Sequence, residues 1–300
     1  MTSAALQRTL KTATQCSGVT LHSGAQVTMT LHPAAAGTGI VFRRTDLGGT
    51  EILASWRNVV DAPMCTALID SSGTRVATVE HLLAAFAGCG VDNAIVEIDG
   101  PELPIMDGSA GPFVFLIDCT GTVAQDAPRR AIRILRPVEV ADSGRATRLL
   151  PGEGFSVTVE IDYPTPPILS QRYTVPLDRF RAEIARARTY GFLHEVESLH
   201  AAGLARGASL LNAVVVSGEA VVNEEGLRYS DEFVRHKALD AIGDLYLAGA
   251  PIIGRFEGIR SGHRMNHRLL AALFAAPDAW CWEPADPAVA APRLRVSATG

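Results

Sequence analysis

Lysine is nearly missing from this sequence: of 27 basic residues only Lys11 and Lys237 are Lys, the rest being Arg. The bias reads as a compositional preference, and it makes Lys237 conspicuous. The five cysteines, Cys16, Cys65, Cys89, Cys119 and Cys281, form no C-x-x-C pair. An odd number so spaced excludes a disulfide framework and a four-cysteine zinc site, and points to a reducing compartment. No uncharged apolar run approaches the roughly 18 residues of a membrane span. The stretch 1–15 carries Arg8 and Lys11 but no apolar leader segment, so a cytoplasmic protein without an integral membrane segment is expected. Positive charge is not in excess either: the net charge of −5 offers no general attraction to nucleic acid or anionic lipid, and no nucleic-acid partner is expected. With 47% hydrophobic and 20% charged residues the chain falls among ordinary globular proteins, and 300 residues suggest two domains at roughly 150 each.

The first sixty residues alternate polar and apolar positions, as in Val27–Thr28–Met29–Thr30–Leu31, the period of short antiparallel strands. A hairpin is expected around Ser71–Ser72–Gly73, followed by a helix from His81 to Ala87 stopped by Gly88 and Gly90, a strand over Ala94–Ile98, and a second helix from about Ser109 to Ile117. The first domain closes near 122, and Gly121–Arg130 reads as a linker. Further strands are expected over Ile132–Val140, Phe155–Ile161 and Pro251–Phe256, helices over Phe180–Arg188, Glu195–Ala202 and Asp231–Ala248, and a hairpin turning at Ser217–Gly218. Helix, glycine turn and strand thus occur twice, each time with a His near the helix start. This predicts an α+β fold of two related sheet-and-helix layered domains, 1–122 and 130–276, with the active site between them. The Pro- and Ala-rich stretch 277–300 is expected to be a partly disordered tail.

On the helix from Asp231, His236, Asp240 and Asp244 recur at i, i+4 and i+8, while Leu239, Ile242 and Leu245 cover the opposite side. A solvated polar stripe is the plain reading. The sharper one is that His and Asp four apart bind one metal ion from a single helix face. Glu80–His81 could complete two His and one carboxylate, the open set that leaves zinc a position for water, with Glu80 as the base. Alone, the pair reads as an acid favouring a helix N-terminus. His263 lies near another helix start, and Asp244, if it reaches that ring, would favour the imidazolium and make it a cationic acid. His32, His194, His200 and His267 read as surface or packing residues.

Six segments together carry a family resemblance: Ser17–Gly24 (SGVTLHSG), Thr78–Leu82 (TVEHL), Pro104–Ala110 (PIMDGSA), Ala187–Phe192 (ARTYGF), Asp231–Lys237 (DEFVRHK) with Asp240, and Ser261–His263. In this order and spacing, over about 9–274, the chain resembles the zinc-dependent UDP-3-O-acyl-N-acetylglucosamine deacetylases of lipid A biosynthesis. The resemblance implies that His81, His236 and Asp240 hold one Zn2+, that Glu80 takes a proton from the attacking water, and that His263, oriented by Asp244, stabilises the oxyanion and protonates the leaving amine. It implies that Thr189 hydrogen-bonds the oxyanion, where a plainer reading is a turn cap. Lys237 would meet the sugar nucleotide, Met64, Cys65 and Tyr190 would line the hexose and its entrance, and an insert near 191–222, with Phe192 and Ser209, would form the acyl passage. Fe2+ accepts similar ligands.

The sequence departs from the family pattern at Met64, Tyr190, Ala208 and Asn212, none of which is among the implied metal or acid–base residues. The implied reaction is hydrolysis of the N-acetyl group of the UDP-linked 3-O-acyl sugar by a metallo-amidase. Two other readings stay open on the sequence: an amidase for a different N-acyl sugar, and a catalytically silent sugar-nucleotide or acyl-binding protein. Turnover on competing substrates separates the first, and tight binding without product would favour the second.

Overall fold

The computed structural model describes residues 5–163 and 170–285. In the first half β1 (Leu6–Leu10), β2 (Thr14–Val19), β3 (Gln26–Pro33), β4 (Ile40–Arg44) and β5 (Thr50–Leu53) precede a small sheet of β6 (Val59–Val60), β7 (Ala67–Ile69) and β8 (Arg75–Ala77). Helix α1 (Glu80–Cys89), strand β9 (Ala94–Ile98), helix α2 (Gly111–Thr120) and strand β10 (Thr122–Pro128) complete it. The second half runs β11 (Arg130–Ile134), β12 (Val138–Asp142), β13 (Arg145–Leu150), β14 (Phe155–Ile161), β15 (Gln171–Pro176) and the short helix α3 (Phe180–Glu183). Then come β16 (Tyr190–Phe192), α4 (Val196–Ala201), β17 (Val214–Ser217), β18 (Ala220–Val221), α5 (Glu232–Tyr246), β19 (Ile252–Ile259), α6 (His263–Ala275) and β20 (Trp280–Pro284).

The two halves repeat one topology. In the first sheet the order is β2-β3-β9-β4-β5, with β9 antiparallel to β3 and parallel to β4. In the second, β12-β13-β19-β14-β15 repeats it, with β19 antiparallel to β13 and parallel to β14. The central strand follows a buried helix each time, α1 before β9 and α5 before β19. The flanks repeat as well: β1 pairs with β10 and bridges in parallel to Asn93 just before β9, while β11 pairs with β20 and lies parallel to the start of β19. Side chains of both halves join in one contiguous apolar core, and α1 packs directly on α5.

Four local readings change. The stretch Ile132–Val140 is two strands, because Pro137 withholds a ladder donor and turns the chain between β11 and β12. Helix Phe180–Arg188 is only a single turn, since Arg186 to Thr189 are each drawn into bonds with other segments. The expected linker contains β10: Gly121, Gln125, Asp126 and Pro128 give it the composition of a loop, while its backbone ladders on β1. Within 277–300, Trp280–Pro284 is not tail but a strand, with the Trp280 and Trp282 rings packed edge-on, and 286–300 lie outside the described residues.

Candidate active site and metal centre

Helices α1 and α5 cross closely because Gly243 has no side chain: a Cβ there would lie 2.0 Å from the carbonyl oxygen of Glu80. That approach sets the start of α1 beside the polar stripe of α5. Just before α1, Thr78 has φ +57, a left-handed conformation that a β-branched residue adopts only when held. Its hydroxyl donates to the buried Glu102 carboxylate at 3.2 Å, and this fixes the direction in which Glu80 and His81 leave.

One ligand atom each from His81, His236 and Asp240 lies within 4.8 Å of the others, and all three residues are buried. The stripe on α5 is therefore not a solvated face. His236 Nδ1 donates to the Ala187 carbonyl at 3.0 Å, which leaves its Nε2 lone pair facing Asp240 Oδ1 at 3.3 Å. His81 Nε2 stands 3.5 Å from the same oxygen. Burial pushes His236 down to about 3, so this imidazole is neutral. Asp240 Oδ1 is buried without a hydrogen-bond partner. Burial opposes ionisation of Asp240, but its histidine neighbours and the Lys237 ammonium, donating to Oδ2 at 2.8 Å, keep it well below the usual carboxylate range. Converging lone pairs on two imidazoles and a carboxylate, with one oxygen orphaned, fit a divalent cation, and the N,N,O donor set suits zinc or iron(II).

Next to this trio stand Glu80 and His263, with Glu80 Oε1 3.7 Å from His263 Nε2. Glu80 Oε2 accepts the backbone N–H of Thr66 at 3.1 Å. Burial raises the Glu80 pKa against the positive charge of His263. Burial likewise works against the imidazolium of His263, but the Asp244 carboxylate, accepting from Nδ1 at 2.9 Å, outweighs it and pushes the ring up to about 9. Asp244 is fully buried and saturated: Oδ2 also accepts from Asn266 at 2.8 Å, and Oδ1 accepts the Thr66 hydroxyl at 2.6 Å. That hydroxyl lies 3.0 Å from His267 Nε2. Thr66, Asn266 and His267 were not among the expected site residues. For His267 a signal existed, since it follows His263 by one helical turn and so shares its face of α6.

The residues expected around the substrate divide into near and far. Tyr190 packs edge-on to His236 with ring centroids 6.3 Å apart, and the Lys237 ammonium sits 5.8 Å from the Tyr190 ring. Cys65 is buried beside Glu80, and burial pushes its thiol up to about 12. Half-exposed Met64, at φ +63, shares with His263, Arg145, Arg264 and Arg268 a cleft of about 500 Å3. Thr189 lies on the segment that holds His236, its N–H bonded to the Gly108 carbonyl at 2.8 Å. The Phe192 ring packs at a tilt against Tyr163, and exposed Ser209 turns the insert, its N–H donating to Asn212; neither has a hydrogen bond or ring contact with the metal trio. Asn212 also donates to the Gly207 carbonyl at 3.0 Å, a bond that an ionised Asp could not make.

A family model described as UDP-3-O-acyl N-acetylglycosamine deacetylase matches residues 7–275. A UDP-3-O-acyl-N-acetylglucosamine deacetylase of Phenylobacterium zucineum is 52% identical over 278 residues, 91% of this chain and 95% of the relative. One of Chromohalobacter salexigens is 52% identical over 279 residues, 91% of this chain and 92% of the relative. A third, of Vibrio parahaemolyticus, is 48% identical over 291 residues, 95% of each.

Proposed function

Because the chain belongs to the UDP-3-O-acyl N-acetylglycosamine deacetylase family, we infer that it hydrolyses the acetamide of UDP-3-O-acyl-N-acetylglucosamine, releasing acetate and leaving the free amine, an early committed step of lipid A biosynthesis. The observation that carries this reading is the orphaned Asp240 Oδ1 between two imidazole nitrogens, flanked by a carboxylate and an imidazolium. His81, His236 and Asp240 would hold one Zn2+, which when bound supplies Lewis acidity at the acetamide carbonyl and lowers the pKa of water.

The chain's own residues divide the proton work. Glu80, pinned by the Thr66 N–H, takes a proton from the attacking water as its oxygen bonds the acetamide carbon. His263, charged through Asp244, gives its Nε2 proton to the departing nitrogen as the C–N bond breaks. The Thr189 hydroxyl donates to the carbonyl oxygen as negative charge develops there. Lys237 and Tyr190 position the sugar nucleotide. The cleft's arginines beside His263 suit a diphosphate, since guanidinium pairs with phosphate oxygens in a fixed fork. The insert 191–222 takes the acyl chain. The repeated strand order supports two domains near the expected 1–122 and 130–276, each extended by its flanking strand, β10 in the first and β20 in the second, and five unpaired thiols support a reaction in the cytoplasm. Among the described residues no helix is long and apolar enough to cross a membrane.

Acetate release from UDP-3-O-acyl-N-acetylglucosamine, after chelation and then with zinc restored, tests the reading. Activity should vanish with chelator and return with zinc. Glu80→Ala should keep the metal and lose about 10²–10⁴ in kcat, whereas His81→Ala and Asp240→Ala should lose metal first. A folded, metallated protein that binds this substrate without releasing acetate would refute it.

A further inference from the structure

Arg188 and Glu232 form an ion pair with both side chains almost fully inside the protein, 1% and 0% exposed. Burying two charges is costly, and apolar replacements of such pairs are often neutral or stabilising, so stability alone gives little reason for one here. The bonds around the pair suggest another reason. Glu232 Oε1 accepts both the Arg188 backbone N–H and its Nε, each at 2.9 Å. Arg188 Nη2 donates to the Gly226 carbonyl at 2.7 Å, and Nη1 donates to Glu225 at 2.7 Å. Glu232 Oε2 accepts the Arg228 N–H, and Arg228 in turn bridges Asp107 at 2.7 Å and the Arg186 carbonyl at 3.0 Å.

The backbone that this pair holds is the segment carrying two site groups. On one side of Arg188, the Ala187 carbonyl accepts a hydrogen bond from His236 Nδ1–H and so turns Nε2 toward Asp240. On the other side stands Thr189, its N–H held by Gly108 and its carbonyl by the Val214 N–H at 2.8 Å. Gly108, at φ +82, is wedged there: a Cβ would lie 2.0 Å from the Asn212 carbonyl and 3.3 Å from the Thr189 methyl. Every residue from Arg186 to Thr189 is thus tied to a different segment, and Arg188–Glu232 is the charged centre of the clamp.

We propose that the buried Arg188–Glu232 pair is a positioning device that fixes two site groups at once, the orientation of His236 through the Ala187 carbonyl and the hydroxyl of Thr189. The inference rests on the deacetylase reading, yet its first readout needs no substrate. Partners behind a ligating histidine are typically worth 10- to 100-fold in metal affinity. In R188M/E232Q, which keeps an amide oxygen for the backbone N–H of residue 188, zinc affinity measured by competition with a chelator should fall at least tenfold. Acetate release under zinc saturation should show kcat down at least tenfold with KM within about threefold. That kcat loss should shrink in a Thr189→Ala background, which a general loss of structure would not produce.

R188K keeps the charge and decides the matter if the double variant does not fold: lacking the planar fork, it should lose zinc affinity and kcat in the same direction. A folded variant with zinc affinity and kcat within twofold of the parent overturns the proposal. So does a kcat loss undiminished by Thr189→Ala. A parent enzyme that binds zinc but releases no acetate would instead defeat the deacetylase reading and leave the zinc measurement to judge the clamp.

Discussion

His263 shows how one hydrogen bond sets a residue's chemistry. In a buried site its imidazolium would be disfavoured, but Asp244 at 2.9 Å reverses the sign and pushes the ring up to about 9. A catalytic acid must carry its proton, so kcat/KM should fall as pH rises through the folded-state pKa of this ring. Asp244→Asn keeps a partner for Nδ1 and removes the largest of the negative charges that favour the imidazolium, so the pKa drops. The alkaline limb of the kcat/KM profile should move to lower pH by at least about one unit, since a unit is worth about 1.4 kcal/mol of differential interaction. An unmoved limb would mean that another group titrates there. His263, Asp244 and the metal trio were legible because each stands in a short motif or at helical spacing. Thr66 was not, although it bonds Glu80, Asp244 and His267, because its hydroxyl partners lie 178 and 201 positions away and nothing around it in sequence points to them.

Among the elements, the crossing of α1 and α5 decides whether there is a site. Both helices and β9 were legible from periodicity, but of the two expected glycine stops α1 runs through Gly88 and ends at Gly90, in the left-handed region. Their closeness was not, because a mid-helix glycine reads only as a weakness in propensity. Gly243→Ala separates the two explanations. In an ordinary helix interior the change gains about 1 kcal/mol. Here the methyl would meet the Glu80 carbonyl at 2.0 Å, backbone that cannot rotate away. We expect a net loss of about 1–3 kcal/mol, as for overpacked cores, read from the urea midpoint. Turnover should fall with it, since the start of α1 carries Glu80 and His81. A gain in stability would show that the helices have room to part. Strand edges were hardest to foresee, as β10 and β20 hold their places by ladder bonds that polar or Pro-rich composition hides.

For the whole molecule, the duplicated topology was visible only as two occurrences of helix, glycine turn and strand, while the matching strand orders needed the long-range pairing. Its consequence is that the metal trio straddles the repeat: His81 comes from the helix of one half, and His236 and Asp240 from that of the other. A cation bound there would tie the halves together and give a partner to Asp240 Oδ1, which is buried and has no hydrogen bond. Metal should therefore stabilise the native fold as a unit. At free zinc 100-fold above its Kd the gain is about 2.7 kcal/mol, provided that the unfolded chain does not compete. The thermal midpoint should rise as zinc is titrated into chelated protein. The variants divide by where they stand: His81→Ala should abolish this zinc-dependent increment, because two ligands from α5 alone no longer bridge the halves. Glu80→Ala, one residue away but outside the ligand set, should keep it. Equal increments in the parent and in His81→Ala would place the stabilising cation elsewhere, and with it the link between the two halves.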